Sequence, residues 1–250
     1  MTGPFDLAGR VAIVTGANTG IGQGIAIALA QAGAAIAAVS RSSTVETQEA
    51  VKAAGRDFLH IQSDLNTTAP IPDIVAAAQK QFHRIDILVN NAGIIRRAEA
   101  LEFTEEDWDA VLQVNLKSAF FLSQAVARTM RQTGGKIINI ASLLSFQGGI
   151  RVAAYTASKS GLVGLTRLLA NEWAAMGINV NAIAPGYFVT NNTAALRQDQ
   201  DRSRDIVARI PAGRWGTPAD LGGAAVFLAS GASDYVHGAV IPVDGGWLAR

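Results

Sequence analysis

The chain has 250 residues, 49% of them hydrophobic and 16% charged, with a formal net charge of +1. Such a composition fits a globular chain that buries a substantial core, and it carries no electrostatic footprint for nucleic acid. The absence of cysteine removes disulfides, thiolate metal sites and a cysteine nucleophile together. No apolar run reaches the ~18 residues of a membrane span, and Met1 to Arg10 shows no basic-then-apolar leader, so the expected location is the cytoplasm.

Apolar runs alternate with helical periodicity along the chain. Val11–Val14 reads as a short buried strand and Ile21–Ala32 as the helix that follows a glycine-rich turn. Ala34–Val39 is a second strand, followed by a helix through about Ala54. Phe58–Ile61, Ile85–Val89 and Lys136–Ala141 are further strands, with helices near Ile74–Phe82 and Glu105–Arg131. A helix from about Tyr155 to Met176 leads into the strand Ile178–Ala182. Strands apolar on both faces, alternating with helices, predict an α/β fold: a doubly wound parallel sheet of Rossmann type, one domain over residues 1–250. Ligands are then expected outside the carboxyl ends of the strands. The least regular stretch is Pro185–Pro218. Residues 186–218 are expected to form a lid over the site, or equally a pair of short surface helices.

The first strand runs into Thr15-Gly16-Ala17-Asn18-Thr19-Gly20-Ile21-Gly22. Glycines there let the backbone approach a pyrophosphate, and the helix behind them offers free N–H groups. A glycine turn with no ligand is the plain alternative; the strand before and helix after favour the first. Ser40-Arg41 follows the second strand, where an NAD site usually places an acidic residue for the ribose hydroxyls. Arg41 suits a 2′-phosphate, which favours NADP slightly over NAD; otherwise it opens the next loop in solvent. Asp64 after the third strand either accepts from an adenine amino group or caps its turn. Asn90-Asn91-Ala92-Gly93 suits close packing on a ribose, or a tight turn.

Tyr155 and Lys159 are four apart at a helix start and therefore share a face. A phenol ordinarily titrates near ~10, too high for a base at neutral pH, and a nearby ammonium and an oxidised nicotinamide ring would lower it. Ser142 follows the preceding strand, within reach of a substrate oxygen. Asn115 is an unexpected polar residue between Val114 and Leu116. Each is weak evidence alone, since a Tyr-x-x-x-Lys pair is often a surface pair; together they fall on the ligand side of the sheet.

Thr15 to Gly22, Asn90 to Gly93, Asn115, Ser142, Tyr155-Thr156-Ala157-Ser158-Lys159 and Pro185-Gly186 resemble, in order and spacing over almost the whole chain, the short-chain dehydrogenase/reductase family. The resemblance implies an NAD(P)-dependent oxidoreductase with Tyr155 as acid/base and Ser142 orienting the carbonyl. It implies that Lys159 lowers the tyrosine pKa and holds the ribose, and that Asn115 supports a proton relay through water. It also implies a cofactor held by Gly16, Asn18, Thr19, Gly20, Ile21, Gly22, Ser40, Arg41, Asp64, Leu65, Asn91, Ala92, Gly93, Tyr155, Lys159, Pro185, Gly186, Phe188 and Thr190. Ser40-Arg41 resembles the NADP-preferring members, although the basic residue many of them carry just before Gly20 is Thr19 here.

Asn91 to Arg97, Ser142 to Arg151, Ile210 to Gly216 and Val243 to Arg250 resemble one branch of that family. These are the 2-dehydro-3-deoxy-D-gluconate 5-dehydrogenases, also called 2-deoxy-D-gluconate 3-dehydrogenases. The implied substrate is a small keto-deoxy sugar acid. A sugar acid needs a cation for its carboxylate and polar side chains for its hydroxyls. Gln147 and Arg151 lie between Ser142 and Tyr155 and are the first choice, with Arg96 as the alternative and Arg97 a further candidate. On the same scaffold a 3-oxoacyl-thioester reductase or a polyol dehydrogenase stays open, as does a dinucleotide sensor without chemistry.

Other residues have plain readings. His60 and His83 are placed at element ends, and His237 near a C-terminal strand facing a subunit contact. Trp108 and Trp173 are packing residues. No metal, nucleic acid or membrane partner is expected. Leu162, Val163, Leu165, Leu168, Leu169 and Trp173 make the helix after Tyr155 too broadly apolar for one buried stripe, and the family resemblance implies a homotetramer.

Overall fold

The short aliphatic runs pair into one parallel sheet of seven strands, in a computed structural model that describes residues 3–250. The strands are β1 (Val11–Thr15), β2 (Ala35–Ser40), β3 (Phe58–Gln62), β4 (Ile87–Asn90), β5 (Gly135–Ile140), β6 (Ile178–Pro185) and β7 (Val240–Val243), in the order β3-β2-β1-β4-β5-β6-β7. Helices α1 (Gly20–Gln31), α2 (Val45–Ala53), α3 (Ile71–Phe82), α4 (Glu105–Leu112), α5 (Ser118–Met130) and α6 (Ala153–Trp173) supply the crossovers. The shorter α7 (Ala194–Gln198), α8 (Gln200–Arg209) and α9 (Gly222–Ala229) follow β6. The strand order reverses between β1 and β4. That switch point opens a crevice at the carboxyl ends of the strands, where ligands of such sheets bind.

Alternation along each strand sends side chains to both faces. Ala12 and Val14 join Ile25, Leu29 and Leu228 in one core, while Ile13 joins Leu88, Leu122 and Met130 in the other. Burying both faces is what makes the strands read as continuous apolar runs. β7 carries Pro242, tolerated because β7 is an edge strand.

Several boundaries differ from the sequence reading. The helix expected over Glu105–Arg131 is two helices joined by a π turn at Gln113–Lys117. α6 begins at Ala153, before Tyr155, immediately after Arg151 and Val152, and Arg151 has φ of +62°. Residues 186–218 contain the two short helices α7 and α8. His60 sits within β3 and not at its end, while His83 does end α3, in a left-handed conformation. Trp173 packs on the second core, but Trp108 is 38% exposed. Among the described residues no helix is long and apolar enough to cross a membrane.

Candidate active site

The glycine turn after β1 is held from the switch point. The Thr15 hydroxyl accepts the N–H groups of Asn91 (3.0 Å) and Ala92 (2.9 Å), and the Asn91 amide donates to the carbonyls of Thr15 (2.8 Å) and Gly16 (3.3 Å). Asn91 therefore shapes the turn with its side chain. Gly16 and Gly20 have φ of +66° and +59°, and a Cβ on Gly22 would overlap the Gly16 carbonyl. Thr19 precedes α1 without capping it, so the first N–H groups of that helix keep no side-chain partner. Asn90 points inward, donating to Ser123 Oγ and Asn139 Oδ1, both at 2.8 Å.

A cavity of about 150 Å³ beside this turn is lined by Gly16, Asn18, Ser40, Arg41, Asp64, Leu65, Ala92 and Gly93. The Ser40 hydroxyl is spent on the Ser42 carbonyl (2.6 Å) and His60 Nε2 (3.1 Å). Ser42 lines the same cavity and accepts from Asn18 Nδ2 at 3.0 Å. Sequence reasoning missed it; its place one step beyond Arg41 was the available signal. Asp64 caps its turn, accepting the Asn66 N–H at 3.0 Å, while still bordering the cavity. Ile21 packs against the first core. The Phe188 ring is buried in that core against Gly216, so its backbone is what it can offer a cofactor. Thr190 lies over the turn, its Cγ2 3.5 Å from where a Cβ on Gly20 would be.

The residues expected to carry chemistry converge at the ends of β5 and β6. Ser142 precedes a 3₁₀ turn and its Oγ accepts the Leu144 N–H at 3.2 Å. Tyr155 lies within the first turn of α6, and Ser142 and Tyr155 line one cavity with Pro185 and Gly186. Gly186 is obligatory there, since a Cβ would come 2.6 Å from Asp244 Cα. Lys159 is buried, its Nζ donating to the Ile140 carbonyl at 2.6 Å and lying 5.7 Å from the Tyr155 ring centre. Asn115 sits in the π turn, where Oδ1 accepts the Ile94 N–H (2.8 Å) and Nδ2 donates to the Ile94 carbonyl (3.0 Å) and Ser158 Oγ (3.2 Å). The Ser158 hydroxyl donates to the Tyr155 carbonyl at 2.8 Å, tying Asn115 to the turn that bears both Tyr155 and Lys159.

Burial raises the pKa of the Tyr155 phenol, against a hydrogen bond with Ser142 and the field of Arg97, which pull it down. Burial also lowers the Lys159 ammonium to about 8. Lys159 is thus mostly charged at neutral pH, with one carbonyl as its only hydrogen-bond partner among the described residues.

The cavity beside Tyr155 measures about 930 Å³. Gln147 and Arg151 line it, but each is already engaged: Gln147 Oε1 accepts from Trp247 Nε1 (3.2 Å), and Arg151 Nε donates to Glu99 (2.6 Å). Arg96 is corrected. It points away from the cavity and pairs with Asp107 at 3.1 Å, while Arg97 lines the cavity. The Arg97 guanidinium donates to the Asn192 carbonyl at 3.0 Å. Among the described residues no group of three His, Asp or Glu side chains is placed to hold a metal.

Residues 16–248 match the family model described as enoyl-(acyl carrier protein) reductase. The chain belongs to the short-chain dehydrogenase/reductase family. As a member it is an NAD(P)-dependent oxidoreductase. It is 61% identical over 248 residues to the 2-dehydro-3-deoxy-D-gluconate 5-dehydrogenase of Escherichia coli K12, covering 98% of each chain. A structure from Agrobacterium tumefaciens, provisionally described as a 2-deoxy-D-gluconate 3-dehydrogenase with bound NADP, is 57% identical with a TM-score of 0.91, covering 99% of both chains. A gluconate 5-dehydrogenase from Burkholderia cenocepacia, solved with NADP and tartrate, is 41% identical with a TM-score of 0.93, covering 99% of this chain and 98% of that one.

Proposed function

We propose that this chain is a dehydrogenase of keto-deoxy sugar acids of the 2-dehydro-3-deoxy-D-gluconate type, working with NADP in preference to NAD. The observation that carries the reading is Arg97, a guanidinium in the same cavity as Ser142 and Tyr155 and close enough to lower the phenol pKa. A carboxylate on Arg97 brings the rest of a short polyol chain within reach of Tyr155. Gln147 and Arg151 supply further donors on the same wall.

The glycine turn, the uncapped start of α1 and the small cavity bearing Arg41 fit a dinucleotide with a 2′-phosphate. No acidic side chain stands at Ser40 or Arg41 to repel that phosphate, and Asn18, Arg41 and Ser42 offer donors. When bound, the nicotinamide ring supplies the hydride or accepts it. Ser142 Oγ orients the reacting substrate oxygen, and Tyr155 Oη exchanges a proton with it. Negative charge growing on the phenol oxygen is stabilised by the buried Lys159 ammonium, whose Nζ lies 5.7 Å from the Tyr155 ring centre. Asn115 holds Ile94 and, through Ser158, the turn carrying Tyr155, so it keeps the acid/base in register.

The same reading places the enzyme in the cytoplasm with the dinucleotide pool, and makes it a homotetramer. Leu168 on α6 and Phe121 on α5, 47% and 38% exposed, support the assembly as apolar side chains without cover.

The test is absorbance at 340 nm with NADP or NAD, crossing keto-deoxy sugar acids with 3-oxoacyl thioesters and neutral polyols. The acid with NADP is expected to give the highest kcat/KM. A thioester or neutral polyol turned over better than any acid would overturn the reading, and so would an Arg97→Ala variant that raised KM equally for acids and neutral polyols.

A further inference from the structure

The wall that α8 gives the large cavity carries Arg202 and Arg209 beside Asp205 and the cap Asp199. Arg97, Arg151, Arg202 and Arg209 line the cavity, against only Asp199 and Asp205. Asp199 is occupied as the cap of α8, accepting the Arg202 N–H at 3.0 Å. Arg151 is neutralised by Glu99. The ion pairs among the described residues include none of Arg97, Arg202 or Arg209.

Arg209 differs from the others in being held on an aromatic face. Its guanidinium lies 4.1 Å from the ring centre of Trp247, which is 4% exposed. Trp247 is fixed in turn by Tyr187, 4.6 Å between ring centres, and by its Nε1–H to Gln147. Stacking orients a guanidinium through its face and leaves the N–H groups on its edge for a ligand. A planar donor fork, prepositioned in a cavity wall and spent on no carboxylate, is what an anion subsite requires.

We propose that Arg209 forms a second anion subsite, and that the site accepts sugar acids carrying an anionic group at both ends, either a second carboxylate or a phosphate. The inference rests on the reading of this cavity as the site of an acid whose first carboxylate meets Arg97. With a cation near Tyr155 and another on Trp247, a doubly charged chain is gripped at two points, and a singly charged one at only one.

Calorimetric titration of the enzyme–NADP complex tests this without requiring turnover. The ligands are D-gluconate with one carboxylate, D-glucarate with two, and 6-phospho-D-gluconate with a carboxylate and a phosphate. At least one doubly anionic ligand is expected to bind roughly tenfold more tightly than gluconate, the gain of one charge-assisted contact. If glucarate leads, the outer group is a carboxylate; if phosphogluconate leads, it is a phosphate, and either supports the subsite. Arg209→Gln should erase the advantage, with gluconate changed by less than about twofold, and Arg209→Lys should restore part of it. Equal affinities in the wild-type protein would overturn the proposal, as would Arg209→Gln weakening all three ligands alike or leaving the advantage intact. Failure of keto-deoxy acids to turn over would count against the proposed function instead, and this ratio would remain readable.

Discussion

The two ends of β5 each hold a buried lysine, and the two are served differently. Lys136, at the start of the strand, donates to Asp234 at 2.7 Å and Asn179 at 3.1 Å. Lys159, brought to the strand's other end by α6, has one backbone carbonyl and no carboxylate. The carboxylate next to Lys136 along the sheet is paired as well. Burial of the Asp86 carboxyl would raise its pKa, but hydrogen bonds from Arg84, the Val11 N–H and Arg10 outweigh that and hold it below the usual carboxylate range. A fully paired charge is a fastening, because nothing is left over to act on a ligand. A buried ammonium without a counterion is poorly stabilised in the resting protein, and it keeps N–H groups free to act on a ligand.

The comparison is broken most severely at the catalytic end. Tyr155→Phe and Lys159→Met are each expected to lower kcat by about 10²–10⁴-fold, with dinucleotide affinity after Tyr155→Phe unchanged within about twofold by fluorescence titration. A Tyr155→Phe enzyme with wild-type turnover would remove the phenol from the mechanism. At the other end, Asp86→Ala should cost about 1–3 kcal/mol by orphaning the Val11 N–H, seen as a Tm lower by several degrees. Its kcat should stay within about twofold of wild type, and a larger loss would mean that the two ends are coupled. Lys136→Met should lower Tm by a smaller margin, because its partner Asp234 is 75% exposed and can be rehydrated. Lys159→Met should leave Tm level or raised, since it deletes a charge that burial penalises.

A last effect is in pH. Lys159 releases its proton near about 8 in the folded protein and near 10.5 when unfolded, so between those values the unfolded chain binds more protons. The burden of burying this lysine is full below pH 8 and is relieved as pH rises toward 10.5. Any Tm advantage of Lys159→Met over wild type should therefore shrink between pH 8 and 10; an advantage independent of pH would mean that the ammonium is not what burial penalises.

Much of this was legible in the chain, because its signals are local. The strand–glycine–helix succession, the four-residue spacing of Tyr155 and Lys159, and the doubly apolar strands each follow from backbone geometry that neighbouring residues dictate. The parallel doubly wound sheet agrees with that reading, while the strand order and the bounds of β7 lay outside it. What stayed hidden depends on direction and distance. Nothing in the pair Arg96-Arg97 says which of them turns into the cavity; the course of the backbone after β4 decides it. Arg209 lies in a stretch readable equally as a lid or as a pair of short surface helices, and its stacking partner Trp247 is far along the chain. The π turn was invisible because Gln113 to Lys117 has ordinary helical composition, so α4 and α5 read as one element.

That π turn has a consequence for how this segment tolerates change. A π turn carries one residue more than the α-helix it interrupts, so the register of α5 relative to α4 is set by chain length through 113–117. Shortening the segment by a single residue restores a regular helix and rotates everything beyond it by about 100°. Leu122, Val126 and Met130, all buried in the second core, would swing off their partners together. Most substitutions here alter one contact, whereas a one-residue deletion misaligns a whole helix, and with it the Asn115 bridge between Ile94 and Ser158.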